Sequence, residues 1–219
     1  MNICLFYVQL TNRGRGEKME YDRRDLRVMK TKEAIESALF KLIDEQSEDD
    51  ITVKKLAFTA KINRGTFYLH YKNIDELFNT YYDNFESALQ PLLVNFKESL
   101  LKQPKSDELI LQATTQVLNV IEENKQIFKF LLLNPKKIHY FHKLQQFTEE
   151  IMFTNYDNLP TSNTTVPQPY YGAYAFSSFM KIAEQWVERD CQESSEEIAK
   201  ILSTLNIKGP FIEFNNSKR

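Results

Sequence analysis

Apolar positions recur along this chain at spacings of three, four and seven. Between Arg27 and Glu45 they are Val28, Ile35, Ala38, Leu39, Leu42 and Ile43, which is the pattern of an amphipathic helix. The polar run Ser47-Glu48-Asp49-Asp50 closes it as a loop. Thr52 then stands as the N-cap of a second, short helix with Val53, Leu56, Ala57 and Ala60 on its apolar face. Lys61-Ile62-Asn63 predicts a tight turn, and Asn63 caps a third short helix at about 64–70. Asn73 caps a longer helix, with Glu76 at its N3 position as the acid of a capping box. Two short helices joined by a turn of three or four residues form a helix-turn-helix pattern.

Beyond residue 76 the helices lengthen. Leu77, Phe78, Tyr81, Phe85, Leu89, Leu92 and Leu93 carry the fourth to about Phe96. A break spans Pro104 to Asp107, and Asp107 is the expected cap of the next helix. Helices follow over 108–123 and 125–133, interrupted near Asn124 and stopped by Asn134-Pro135, and another covers 137–155. The Pro-, Ser-, Thr- and Asn-rich stretch 159–169 reads as a loop. A long apolar helix runs from Tyr170 to Asp190. Ser194-Ser195-Glu196-Glu197 opens the last helix, which ends near Leu205.

The predicted fold is all-α with about nine helices. Residues 1–20 form a flexible N-terminal arm, 21–75 a three-helix helix-turn-helix DNA-binding domain, and 76–219 a helical bundle for ligand sensing and dimerisation. In the helix after Tyr170, the residues Tyr170, Tyr174, Ala175, Phe176, Phe179, Met180, Ile182, Ala183, Trp186 and Val187 cover more than one face. Such a helix must be buried on most sides. Ile198, Ile201, Leu202 and Leu205 add a stripe to the last helix. Two such helices from each of two chains make a four-helix interface, so a homodimer through the last two helices is expected. The small residues Gly172, Ala173, Ser177 and Ser178 allow close helix approach.

Composition narrows the function. Apolar residues are 42%, while Gly at 5 and Pro at 7 are scarce, as in a globular helical chain. The net charge is -2, so only a local concentration of charge can attract a polyanion. Cys4 and Cys191 lie far apart with no paired spacing, which fits a reduced, cytoplasmic setting. No run of about 18 apolar residues exists for a membrane span. MNICLFYVQL has neither a basic start nor a small-residue cleavage site after it, and is not a signal segment. His139 and His142 stand three apart without a third ligand, so no metal and no cofactor are expected. No phosphate loop or nucleophile arrangement supports catalysis, so the chain is not expected to be an enzyme.

The charge is concentrated where the helix-turn-helix lies. Ile51 to Lys72 holds Lys54, Lys55, Lys61, Arg64 and Lys72 and no acid. Phosphate contacts need such a basic island. The arm and first helix add Arg13, Arg15, Lys18, Arg23, Arg24, Arg27, Lys30 and Lys32 against four acids. Gly65 permits close approach of a helix start to a sugar–phosphate backbone. Thr66 and Tyr68 supply hydroxyls for phosphate oxygens, and His70 and Lys72 reach phosphates as well. Arg64 suits guanine O6 and N7. Leu69 or Thr66 suits a thymine methyl. Thr52 offers its hydroxyl and the free N–H groups of a helix start to a further phosphate. Phe67 belongs to the core.

These residues resemble a family. RGTFYLHYKNIDELF is similar to the DNA-binding signature of the TetR/AcrR transcriptional regulators, with an ungapped match from Ile62 through Leu77. The upstream helix and the T-V-x-x-L-A run at 52–57 match too. The resemblance implies that Thr52, Arg64, Gly65, Thr66, Tyr68, His70 and Lys72 contact double-stranded operator DNA. One position departs: where many members carry a second lysine at the start of the fourth helix, this chain has Ile74. Residues 170–202 and 123–132 resemble the C-terminal domain of regulators of dihydroxyacetone kinase operons. The family reading implies a repressor that binds a palindrome as a dimer and is released by a small-molecule inducer. Phe128, Phe147, Phe176, Phe179 and Trp186 are the candidate lining of its pocket. The alternative is a DNA-binding helical adaptor that acts through a protein partner.

Overall fold

The computed structural model describes residues 23–45, 51–103, 106–153 and 167–208. The expected arm, the 47–50 loop, most of the 159–169 loop and Cys4 lie outside the described residues. Among the described residues there are nine α-helices and no strand. They fall into two compact units, which divide between Thr80 and Tyr81.

The first unit holds α1 (Arg23–Glu45), α2 (Val53–Thr59), α3 (Arg64–Tyr68) and the start of α4 (Ile74–Lys102). Its core is the face the apolar spacing predicts: Ile35, Ala38, Leu39 and Leu42 of α1, Leu56 and Ala57 of α2, and Phe67. Val28, expected on that face, lies instead at the exposed start of α1 beside Leu26. The turn between α2 and α3 closes α2 with two backbone bonds. Ile62 N–H donates to the Ala57 carbonyl at 3.0 Å, and Lys61 N–H to Phe58 at 3.1 Å. This pair of bonds needs a left-handed residue at the helix end. Lys61 fills that role with φ 54°, although no glycine is present.

The second unit continues α4 and adds α5 (Asp107–Glu123), α6 (Lys125–Ile127), α7 (Ile138–Phe153), α8 (Gln168–Glu188) and α9 (Ser195–Lys208). Besides α7, which starts at Ile138 rather than 137, and α8, which spans Gln168–Glu188 rather than Tyr170–Asp190 and so takes in two residues expected as loop, four expected boundaries shift. First, α4 runs to Lys102 rather than Phe96, because Lys97 Nζ anchors its end to the Ile151 carbonyl at 2.7 Å. Second, Ser106, not Asp107, caps α5: it holds the extended dihedrals a cap requires, and its hydroxyl accepts from Leu109 N–H. Asp107 sits in the first turn, where its charge faces the positive end of the helix. Third, the helix expected over 125–133 becomes α6 plus a π-helical turn at Phe128–Leu132. This turn buries Phe128, Phe130, Leu131 and Leu132 together. Fourth, α9 extends past Leu205 to Lys208.

Two details fix the packing of α8. A Cβ on Gly172 would stand 3.0 Å from Phe153 Cε2, so the missing side chain lets α7 and α8 approach. At the other end, the buried Trp186 donates its indole N–H to the Glu193 carbonyl at 2.8 Å. That bond ties α8 to the start of α9. The predicted capping box is present there: Glu197 Oε2 accepts from Ser194 N–H at 2.8 Å, and Ser194 Oγ accepts from Glu197 N–H at 3.3 Å.

Candidate nucleic-acid interface

The interface candidate is built from α2, α3 and the residues after them. Thr52 caps α2, its Oγ1 accepting from Lys55 N–H at 3.3 Å. Asn63 caps α3, its Oδ1 accepting from Gly65 N–H at 3.0 Å. Asn73 Oδ1 accepts from Glu76 N–H at 2.8 Å, as the capping box requires. The return arm differs from expectation: Glu76 Oε2 accepts from Lys72 N–H rather than from Asn73. That acceptor fixes the backbone of Lys72 just ahead of α4.

Phe67 anchors α3. It is fully buried and meets the Tyr68 ring edge-on at 5.6 Å and the Tyr71 ring at the same distance. With Phe67 turned inward, the rest of α3 must face outward. Arg64, Gly65 and Lys72 are exposed, as is Thr52. Tyr68 is 49% and Leu69 82% exposed. Thr66 and His70 are half-buried. The His70 pKa lies below the ordinary value, first because burial disfavours the charged ring and second because of the Lys32 ammonium. All eight predicted residues therefore lie on one short stretch that presents side chains to solvent. Arg13, Arg15 and Lys18 of the arm lie outside the described residues.

Gly65 is informative. A Cβ there would meet only Asn63 Oδ1, at an ordinary 3.7 Å. The protein itself leaves room for a side chain at this position.

Sequence reasoning missed Phe58, which is 84% exposed. It lies on α2 between Lys54 and Lys61, both exposed, at spacings of four and three. That spacing was readable, since it runs along the side of α2 away from the buried Leu56 and Ala57.

The five candidate pocket residues lie in the second unit and are treated differently by the fold. Phe128, Phe176 and Trp186 are buried, whereas Phe147 and Phe179 are half-buried. Phe128 meets Phe85 at 6.2 Å and Phe176 meets Phe141 at 5.4 Å. Trp186 is held by its bond to Glu193. None of the five lines the cleft of about 330 Å³ formed by Lys200, Ile201, Thr204 and Leu205 on α9. Among the described residues no cluster of acids, histidines and cysteines is arranged to hold a metal ion, and no helix is long and apolar enough to cross a membrane.

Comparison with known proteins agrees with this architecture. A family model for the C-terminal region of TetR-type transcriptional regulators matches residues 108–208. The HTH-type transcriptional regulator YxbF of Bacillus subtilis (strain 168) is 25% identical over 175 residues, covering 76% of this chain and 42% of the relative. The chain thus spans about two fifths of that relative's length. Among solved structures, a TetR transcriptional regulator from Streptococcus agalactiae 2603V is similar at 21% identity and a TM-score of 0.51, covering 83% of this chain and 96% of the other. FadR from Bacillus subtilis, solved with stearoyl-CoA, is similar at 15% identity and a TM-score of 0.56, with coverages of 80% and 97%. PfmR from Thermus thermophilus matches at 19% identity and 0.56, with coverages of 81% and 97%. These structures share the all-helical fold. With the helix-turn-helix signature in the first unit and the matched region in the second, the chain is similar to TetR-type transcriptional regulators in its C-terminal region and in its fold.

Proposed function

We propose that this chain is a DNA-binding repressor that grips a palindromic operator as a homodimer in the cytoplasm and is released by a small-molecule ligand held in the second unit. The observation that carries this reading is the acid-free segment from Ile51 to Lys72, whose exposed side chains surround Gly65. It offers cations and hydroxyls, with a glycine where the fold leaves room for a side chain. In the proposed complex α3 enters the major groove. Arg64 addresses a guanine edge and Leu69 a thymine methyl. Thr52, Thr66, Tyr68, His70 and Lys72 hold phosphates, and Gly65 lets the backbone come close.

A single five-residue helix reads too few base pairs for useful specificity, so two copies must act together. The exposed Tyr170, Tyr174 and Ile201 on α8 and α9 supply apolar surface for that pairing. Ligand binding that lowers operator affinity is met, by linkage, with an equal loss of ligand affinity on the operator. The ligand seen in the FadR structure is that protein's own; it supports the idea of a sensing second unit and does not name this chain's ligand.

The test is selection of duplexes from a random library, followed by gel shifts over a salt series. The expected result is one enriched palindrome whose affinity falls about 10³–10⁵-fold between 50 and 200 mM salt, as for ~6–10 phosphate contacts. No enrichment, or an affinity that ignores salt, overturns the reading.

A further inference from the structure

Among the described residues, the two most exposed large apolar side chains are Phe58 at 84% and Leu69 at 82%. Phenylalanine is ordinarily one of the most buried residue types. A lone exposed apolar residue calls for no explanation. These two stand out together in the acid-free segment between Ile51 and Lys72, and that coincidence does call for one. Leu69 has a thymine methyl as its partner in the proposed complex, whereas Phe58 has none.

The geometry of α2 shows what lies beside the ring. Lys54 stands one turn before Phe58 on the same helix face. Lys61, at the left-handed turn, donates its N–H to the Phe58 carbonyl at 3.1 Å. Both lysines are exposed, while Leu56 and Ala57 turn into the core. This ridge begins at the exposed cap Thr52 and ends where the exposed Asn63 and Arg64 open α3. It is continuous along the chain with the candidate interface. The two ammonium groups decide the kind of partner. A protein surface that covered Phe58 would also have to supply acids to Lys54 and Lys61, since a covered cation without a partner is costly. Duplex DNA meets both needs, with phosphates along each strand and thymine methyls at the edge of the major groove.

We infer that Phe58 is a base-reading residue: its ring lies against a thymine methyl in each operator half-site, while Lys54 and Lys61 hold phosphates on either side. The half-site therefore carries a thymine selected by α2, in addition to the positions addressed by Arg64 and Leu69 from α3. The inference rests on the DNA-binding reading proposed above and adds to it a second reading element and the base it reads.

The test uses the full chain and the operator enriched from the random library. Each thymine of one half-site is replaced in turn by uracil, which lacks only the methyl group. On the native chain, one replacement besides that read by Leu69 should weaken binding about fourfold, the worth of one methyl withdrawn from water. Phe58→Ala should lose at least as much on the unmodified operator and no longer distinguish thymine from uracil at that step. It should still distinguish them at the step read by Leu69. Its salt slope should match the native one, whereas Lys54→Ala should lower the slope by about one. The free Phe58→Ala chain should melt with the native chain, because so exposed a ring touches little of the fold.

Unchanged operator affinity in Phe58→Ala, undiminished sensitivity to every uracil, an altered salt slope or a lower Tm overturns the inference. Unchanged affinity in a variant that sediments as a smaller species would assign the ring to a contact between copies instead. Any of these results in a chain that still selects an operator overturns this inference alone. A native chain that enriches no duplex overturns the regulator reading and this inference with it.

Discussion

Gly65 separates what the fold requires from what the proposed complex requires. A methyl group fits at this position within the protein, and alanine is the better helix former by as much as about 1 kcal/mol. Gly65→Ala should therefore leave urea stability equal or higher. It should weaken operator binding by about 1–3 kcal/mol, the cost of a methyl forced into a tight contact. A variant both stable and fully competent on DNA would remove Gly65 from the interface. Arg64→Ala answers a different question. It should cost roughly 1–3 kcal/mol at one base step and relax the preference there, seen as a flattened position in a competition series. His70 adds a pH signature. In the free chain its pKa is depressed, so the ring is mainly neutral at pH 7 and removes a little stability as pH falls through the window below 6.5. A phosphate beside the ring favours the charged form, so DNA binding takes up a proton. Operator affinity should rise as pH drops from 8 to 6, and His70→Gln should flatten that slope. An equal slope in the variant would place the titrating group elsewhere. The eight candidate residues could be picked out because polar, cationic and small side chains gather in one acid-free segment. Phe58 was not, because an apolar residue on a short helix is assigned to the core unless its face is worked out.

At the scale of elements, most caps were readable, Asp107 for Ser106 being the exception, and the tertiary adjustments were not. Thr52, Asn63, Asn73 and Ser194 act as helix starts because their short polar side chains reach the next free N–H groups. The extension of α4 depends on Lys97 finding the Ile151 carbonyl, 54 residues away in sequence, and no local pattern encodes that. The π-helical turn likewise answers a demand for burial that arises only when the bundle packs. The α2–α3 turn yields a direct test. A non-glycine residue in the left-handed region costs roughly 1–2 kcal/mol, and glycine returns about 0.4–1 of that through the freer unfolded chain. Lys61→Gly should thus stabilise by up to about 1 kcal/mol in urea melts, whereas Lys61→Ala keeps the strain and should not. Both lose the same cation. If Lys61 touches a phosphate, both should reduce the salt slope of DNA binding by about one. Equal melts for the two variants would show that the left-handed turn holds no strain.

At the scale of the whole molecule, the proposed specificity depends on two reading helices acting at a fixed separation. The exposed Tyr170 and Tyr174 on α8 and Ile201 on α9 are the surface on which the proposed pairing rests. A charge there should separate the copies while leaving each fold intact. Tyr174→Glu with Ile201→Lys is expected to sediment as a monomer at concentrations where the native chain is a dimer. The monomer keeps its basic island, so its weak, salt-sensitive affinity for random duplex should survive. Only the preference for the palindrome should vanish, since each half-site then binds alone. The DNA can be altered to ask the same question without touching the protein. Half-sites read by a dimer lie about 34–36 Å apart, one turn of 10–10.5 base pairs. Inserting about five base pairs between them turns one half-site to the opposite side of the duplex, where the second α3 cannot reach it. Affinity should then fall to that of a single half-site, and the monomeric variant should bind native and spaced operators alike. A native chain indifferent to the insertion would show that each copy reads DNA independently, and the pairing of α8 and α9 would then need another purpose.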